Sequence, residues 1–83
     1  MYTVDVGNAV DGVPEGTKTS LSDMLEEIAA TVAALPDTSA FWRSVRGERL
    51  QLDLGGWRFW YVIERDVRRL SLVQSLPIGI PPR

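Results

Sequence analysis

The chain lacks cysteine and histidine altogether, and only one of its 83 residues is a lysine. Without cysteine it can form neither a disulfide framework nor a thiolate metal site, and it has no thiol nucleophile. Without histidine it lacks the commonest metal ligand and the usual general base of nucleophilic catalysis. We therefore expect neither a bound metal nor a cofactor.

Long apolar runs are also missing, since none approaches the roughly 20 residues that cross a bilayer. Residues 1–12 show neither the basic nor the apolar region of a signal peptide. These observations predict a cytoplasmic protein without a membrane partner. The chain is 45% hydrophobic and 24% charged, which is typical of a soluble globular protein, and its length fits one domain over residues 1–83.

Positive charge is scarce in the first half of the chain, where Lys18 is the one basic residue among seven carboxylates in residues 1–40. All eight arginines lie in residues 41–83. Such a division arises by chance in many small proteins, or it marks a basic face for an anionic ligand or an acidic partner.

Apolar residues recur at helical spacing over residues 21–35 and predict an amphipathic helix. Ser20 is the predicted N-cap, and Pro36 ends the helix because proline cannot continue one. Before this helix, residues 2–6 alternate as in a short strand, and the glycine-rich residues 7–20 are predicted to be a loop. The apolar helix positions are Leu21, Met24, Leu25, Ile28, Val32 and Leu35.

A second, short helix is predicted within residues 37–47. Asp37 or Thr38 would cap it and Gly47 would end it. Its apolar anchors would be Phe41, Trp42 and Val45.

Two alternating runs, residues 49–54 and 57–63, flank Gly55-Gly56, and this pattern is a strong signal for a hairpin with a two-residue turn. The turn fixes the register, so that Leu52 faces Phe59 and Asp53 faces Arg58. One face of the hairpin is then wholly apolar. It consists of Leu50, Leu52, Leu54, Trp57, Phe59, Tyr61 and Ile63.

A third strand is predicted over residues 68–76, after a turn at Arg65-Asp66. In the predicted register Phe59 meets Leu72 and Tyr61 meets Leu70, which extends the apolar face.

The predicted fold class is therefore α+β. A small antiparallel sheet, made of the meander 49–76 and the N-terminal strand, packs one face against the helix 21–35. The tail, residues 77–83, contains three prolines and is predicted to be neither a central strand nor a helix.

The sheet face opposite the helix, here called the open face, carries arginines around one large aromatic side chain. It is either an ordinary solvated face of an antiparallel sheet or a binding surface. Arginine binds phosphate or carboxylate in a bidentate manner, and tryptophan stacks on bases or fills a pocket of a partner. The predicted open-face residues are Arg49, Gln51, Asp53, Arg58, Trp60, Val62, Arg69, Ser71 and Val73.

Only phosphate chemistry driven by arginine has candidate residues in this sequence. Positive side chains can orient and stabilise a scissile phosphate, and the candidates are Arg58 with Arg49 or Arg69. Residues predicted to bind a partner are Trp60, Gln51, Arg46 and Arg68.

The meander begins V-R-G-E-R-L-Q-L-D-L-G-G-W-R-F-W-Y-V-I at residues 45–63 and continues through residue 73 as E-R-D-V-R-R-L-S-L-V. This run resembles the RelE/ParE toxin superfamily of bacterial toxin–antitoxin systems, as does the order of strand, helical region and three-stranded meander. The resemblance covers residues 45–76. The matching positions are Arg46-Gly47, Arg49-Leu50, Gly56, Trp57-Arg58, Tyr61 and Ile63.

The resemblance implies a small α+β domain with helices on one face of a curved sheet, and an acidic or amphipathic antitoxin segment that wraps the toxin. RelE-type members bind the ribosomal A site and cleave mRNA with basic residues of the open face, whereas ParE-type members inhibit DNA gyrase. An antitoxin is thus the implied partner, and mRNA on the ribosome or gyrase is the implied target.

Departures from the family pattern keep a second hypothesis open. Where the family usually carries lysine or arginine on the second strand, this chain has Gln51 and Asp53, and after the last strand it has only Arg83. Only Arg58 matches a phosphate-contact position of the family. The chain is therefore predicted to be either a toxin component that binds an antitoxin, for which mRNA cleavage by the open-face arginines is one option, or a catalytically inactive interaction module or homodimer that uses the face of Trp60 and the arginines.

Overall fold

Two helices and four strands follow one another in this computed structural model, which describes residues 1–45 and 48–78. The predicted α+β class is confirmed, because one long helix lies against a four-stranded sheet. The elements are β1 (Thr3–Asp5), α1 (Glu15–Ala33), α2 (Phe41–Ser44), β2 (Leu50–Leu54), β3 (Trp57–Glu64) and β4 (Arg69–Pro77). The predicted binding residue Arg46 and the predicted helix stop Gly47 lie outside the described residues, as does the tail from residue 79. Over the described part, no helix combines the length and the hydropathy needed to cross a membrane.

The strands lie in the order β1-β4-β3-β2. The meander is antiparallel as predicted, but the N-terminal strand pairs in parallel with β4, so the sheet is mixed. A long connection separates these two strands, and no hairpin turn constrains them to be antiparallel.

The register of the β2–β3 hairpin is the one that the sequence predicts. Leu52 pairs with Phe59 and Asp53 pairs with Arg58. Both turn residues have positive φ, 59° at Gly55 and 80° at Gly56. Two successive positive φ angles are what a type I′ hairpin turn requires, and glycine adopts them at little cost.

The predicted register between β3 and β4 is wrong by two residues, because Tyr61 pairs with Leu72 rather than with Leu70. The turn spans residues 65–68 instead of only Arg65-Asp66, and Arg68 has a left-handed φ of 54°. An even shift leaves each side chain on its expected face. Beyond Tyr61 a β-bulge interrupts the ladder, so that Trp60 pairs with Gln74.

Helix α1 begins earlier than predicted, at Glu15, so the loop prediction is wrong for residues 15–20 and Ser20 lies inside the helix rather than at its N-cap. Pro14 occupies the N-cap with extended backbone, φ −59° and ψ 148°. Proline suits a helix start because it lacks the N–H that a first turn leaves unbonded, and the acid at Glu15 favours the same end. The first residues of α1 include Gly16 and threonines, which have low helix propensity and show no apolar spacing, so the sequence pattern does not predict this part of the helix.

The core lies between α1 and the covered face of the sheet, meaning the face opposite the open face. Helix residues and strand residues interlock there with little or no solvent exposure, and Phe59, Leu21, Leu25 and Leu70 are fully buried. The helix 21–35 was expected to cover this face, and α1 does so. The buried residues of this cluster are Val13, Leu21, Leu25, Ala29, Phe59, Tyr61, Leu70 and Leu72.

The predicted short helix of residues 37–47 is only one turn long, Phe41–Ser44. Neither Asp37 nor Thr38 caps it. Instead, the Ser39 hydroxyl oxygen accepts a hydrogen bond from the Phe41 backbone N–H at 3.2 Å. Because α2 is so short, it cannot extend across the sheet as a second covering helix would.

Candidate functional site

Trp60 lies at the centre of the open face, between Gln51 on β2 and Gln74 on β4. Its immediate neighbours in sequence, Phe59 and Tyr61, point into the core. Trp60 itself is half-buried, while both glutamines are exposed. The site therefore has an amphipathic ring flanked by two amides.

Arg58 is held by Asp53, its cross-strand partner. The Nε and Nη2 groups of Arg58 donate to the two carboxylate oxygens of Asp53 at 2.9 and 3.0 Å. These hydrogen bonds from Arg58 hold the pKa of Asp53 below its usual value and raise the pKa of Arg58. Binding a phosphate at Arg58 would require giving up this bidentate pair.

Arg69 is engaged in the same way at the other end of the open face. Its Nη2 donates to Glu64 at 2.7 Å, and the Ser71 hydroxyl donates to the second oxygen of Glu64 at 2.6 Å. The hydrogen bonds from Ser71 and then Arg69 lower the pKa of Glu64. The sequence prediction missed Glu64 as a site residue, because the wrong register paired Arg69 with Val62 instead.

Arg49 precedes β2 and does not belong to its ladder, although the sequence pattern places it in that strand facing Val62. Its Nη1 donates to the side-chain oxygen of Gln74 on β4 at 3.3 Å. Because β3 lies between β2 and β4, the Arg49 side chain must cross the open face near Trp60.

The three arginines predicted to hold a phosphate do not converge. Arg69 pairs with Glu64, six residues along β3 from Arg58, which corresponds to about 20 Å of strand. The predicted binding residue Arg68 lies in the β3–β4 turn and lines a hollow with Val32 of α1, on the helix side of the sheet. Trp60, Gln51, Arg49 and Arg58 thus lie near one another on the open face. Arg69 lies at the far end of that face, and Arg68 lies outside it.

A polar and aromatic cluster ties the segment before α2 to the β3–β4 turn. The Arg65 guanidinium lies 4.5 Å from the centre of the Trp42 ring and donates to the Asp37 carboxylate at 2.7 Å. On the same Trp42, Nε1 donates to the Pro36 carbonyl at 3.1 Å, and Tyr2 stacks at 6.4 Å. The sequence pattern assigns Arg65 only to a turn, so nothing in it predicts this cluster.

An apolar groove of about 420 Å³ opens on the covered face, between the C-terminal half of α1, α2 and the ends of β2 and β3. It exists because α1 leaves this corner of the sheet uncovered and the one-turn α2 does not fill it. Glu27 and Thr31 form its exposed helical rim, and burial raises the pKa of Tyr61 in its wall. The apolar lining residues are Ile28, Val32, Leu35, Phe41, Leu50, Tyr61 and Ile63.

Compared with known proteins, the chain matches no protein-family model, no curated protein and no solved structure. The similarity to RelE/ParE toxins therefore stays a prediction that rests on the residues of the meander. Within residues 1–45 and 48–78, no three carboxylate side chains are grouped as metal ligands would be.

Proposed function

We propose that this chain is a RelE/ParE-like component of a toxin–antitoxin pair, that it binds its antitoxin in the apolar groove, and that it acts through protein contacts rather than by cleaving RNA. The observation that carries the proposal is the groove itself, which is lined by apolar side chains and lies beside a small core.

The apolar lining of the groove suits an amphipathic helical segment. A helix docks in such a groove by placing apolar side chains at every third or fourth position along the cavity. Leu35 and Phe41 lie at the end where the chain leaves α1, and Leu50 and Ile63 come from the sheet. Filling the groove would bury these half-exposed residues and stabilise both partners.

Protein contacts are favoured over RNA cleavage because the open-face arginines are already occupied. Arg58 and Arg69 each pair with a carboxylate at hydrogen-bond distance. A scissile phosphate near them would face Asp53 and Glu64, and like charge disfavours such an approach.

The first experiment expresses the chain in bacteria, with and without the product of the adjacent gene. We expect growth arrest that the neighbouring product relieves, and co-purification of the two proteins. Harmless expression together with failure to co-purify would contradict the toxin–antitoxin assignment.

Matched variants locate the partner. Thr31→Arg places a long side chain on the groove rim, whereas Thr19→Arg changes the same helix away from the groove. The two threonines are equivalent locally, since both are exposed and each donates its hydroxyl to the carbonyl four residues earlier, at 3.0 Å for Thr31 and 3.1 Å for Thr19. We expect Thr31→Arg to abolish co-purification and Thr19→Arg to preserve it.

Arg58→Ala separates protein contacts from RNA cleavage. If the chain acts through protein contacts, this variant arrests growth as the natural sequence does, and mapping of cellular mRNA ends detects no new cuts. New mRNA ends that disappear in Arg58→Ala would establish a ribonuclease instead.

A further inference from the structure

We infer that a second copy of this chain packs on the open face, centred on Trp60, and forms a symmetric dimer. This goes beyond the proposed function, because the groove lies on the covered face and is separated from this surface by the sheet.

Two exposed apolar residues of β4 lie beside the Trp60 pair on the open face. Val73 is the extra residue of the β-bulge, adjoins the buried Leu72 and is 41% exposed, while Leu76 pairs with Arg58 and is 47% exposed. Apolar residues clustered around a half-buried tryptophan are typical of the centre of a protein interface.

The charges of the open face are balanced. Arg58 pairs with Asp53, and Arg69 pairs with Glu64. The hydrogen bond to Glu64, with a smaller contribution from the charge of Asp5 on the neighbouring strand, raises the pKa of Arg69. A surface with no excess of either sign has little attraction for a nucleic acid, whose binding depends on unpaired cations. A second copy carries the same balanced set, so it meets no net repulsion. The open-face charges are Arg49, Arg58 and Arg69 against Asp5, Asp53 and Glu64.

The size of the face predicts a dimer that dissociates readily. Four strands spaced about 4.8 Å apart and about 20 Å long give roughly 400 Å² in projection. Stable complexes bury about 800 Å² on each partner. The dimer should therefore appear only as the protein concentration rises. A two-fold axis would place the same patch on both copies.

The first test is sedimentation velocity from about 1 μM to about 1 mM protein, a range that brackets weak association. We expect the mass to rise toward a dimer for the natural chain. Val73→Lys places a charge within the patch on both copies and should weaken the dimer by more than about tenfold. Val67→Lys is the matched control, because Val67 is 56% exposed in the β3–β4 turn, and it should dimerise normally.

A second variant and a cysteine cross-link test the dimer independently of Val73→Lys. Leu76→Arg should also give a monomer, with circular dichroism confirming the fold. Because the chain has no cysteine, a single Val73→Cys should form a disulfide-linked dimer under mild oxidation, while Val67→Cys should not. A natural chain that stays monomeric up to about 1 mM, or a dimer that both Val73→Lys and Leu76→Arg leave intact, overturns the inference.

Discussion

The two faces of the sheet are formed by alternate residues of the same strands, and their environments differ. Along β3, Phe59 and Tyr61 are buried against α1, whereas Arg58 and Trp60 lie between them in sequence and face outward. On the covered face, contact with the helix leaves almost no polar atom to satisfy. On the open face, Arg58 and Arg69 each donate to a carboxylate on an adjacent strand, and Arg49 reaches Gln74 across β3. One strand thus supplies the core with one set of residues and the open face with the alternate set.

The largest effect should come from Phe59→Ala compared with Trp60→Ala. Phe59 is fully buried, and its removal should lower the free energy of unfolding by about 3–5 kcal/mol. Trp60→Ala should cost about 1 kcal/mol or less, because the side chain is only half-buried. Urea denaturation measures both. Equal losses would mean that the two faces do not differ as described.

The β2–β3 turn contacts α1, and this contact tests how closely the helix packs on the covered face. A Cβ at Gly55, where φ is 59°, would lie 3.1 Å from the Thr17 hydroxyl oxygen. We expect Gly55→Ala to cost about 1–2 kcal/mol through backbone strain and crowding. Thermal and urea unfolding give the value.

A double-mutant cycle isolates the crowding. Thr17→Ala should recover part of the loss in the Gly55→Ala background and none in a Gly56→Ala background, since a Cβ at Gly56 meets nothing within 4 Å. Identical recovery in both backgrounds would show that the turn does not press on the helix.

Acid should weaken the open face selectively. The pKa values of Asp53 and Glu64 lie below their ordinary 3.8 and 4.5 in the folded chain. A depressed carboxyl pKa stabilises the fold above its unfolded-state value, and this contribution is lost as the pH falls through the folded-state pKa. The melting temperature should therefore fall more between pH 6 and pH 3 than in a chain without these carboxylates.

The comparison chain for that experiment is the double variant Asp53→Asn/Glu64→Gln, which keeps the side-chain shapes. Its melting temperature should change less with acid. An acid dependence identical to that of the natural chain would assign the effect to other carboxylates.

The smallest effect should come from breaking the Arg58–Asp53 pair. Arg58→Ala and Asp53→Ala should each shift the melting temperature by less than about 3 °C, because exposed ion pairs contribute little. Differential scanning calorimetry measures the shift. A much larger loss for Asp53→Ala than for Arg58→Ala would show that an arginine left without its carboxylate repels its neighbours, and that the open face depends on its charge balance for stability.

The sequence predicts some elements of the fold better than others, and the reasons are physical. Gly55-Gly56 forms a two-residue turn between two alternating runs, and the length of this turn sets the register of β2 and β3. The β3–β4 turn has no such constraint, and its closure by Arg68 in a left-handed conformation moved the register by two residues. Apolar spacing locates the buried part of α1 but not its first turn, because residues 15–18 do not belong to the core cluster.

The candidate site is less predictable than the fold, because it depends on what is left uncovered. Trp60, Gln51 and Arg58 lie on the open face because the β2–β3 hairpin has the register that the alternating pattern predicts. The partners Glu64 and Gln74 depend on the register and the bulge, and the sequence pattern does not fix either. The groove depends on α2 being only one turn long, and the sequence of that segment does not predict how long the helix is.

Our central proposal is that an antitoxin binds in the groove on the covered face and not on the open face. Its most direct test is calorimetric titration of the adjacent gene's product into three proteins: the natural chain, Thr31→Arg and Val73→Lys. We predict that Thr31→Arg weakens binding by at least about tenfold, as a change within an interface can, while Val73→Lys binds as the natural chain does. Loss of affinity in Val73→Lys with full affinity in Thr31→Arg would contradict the account.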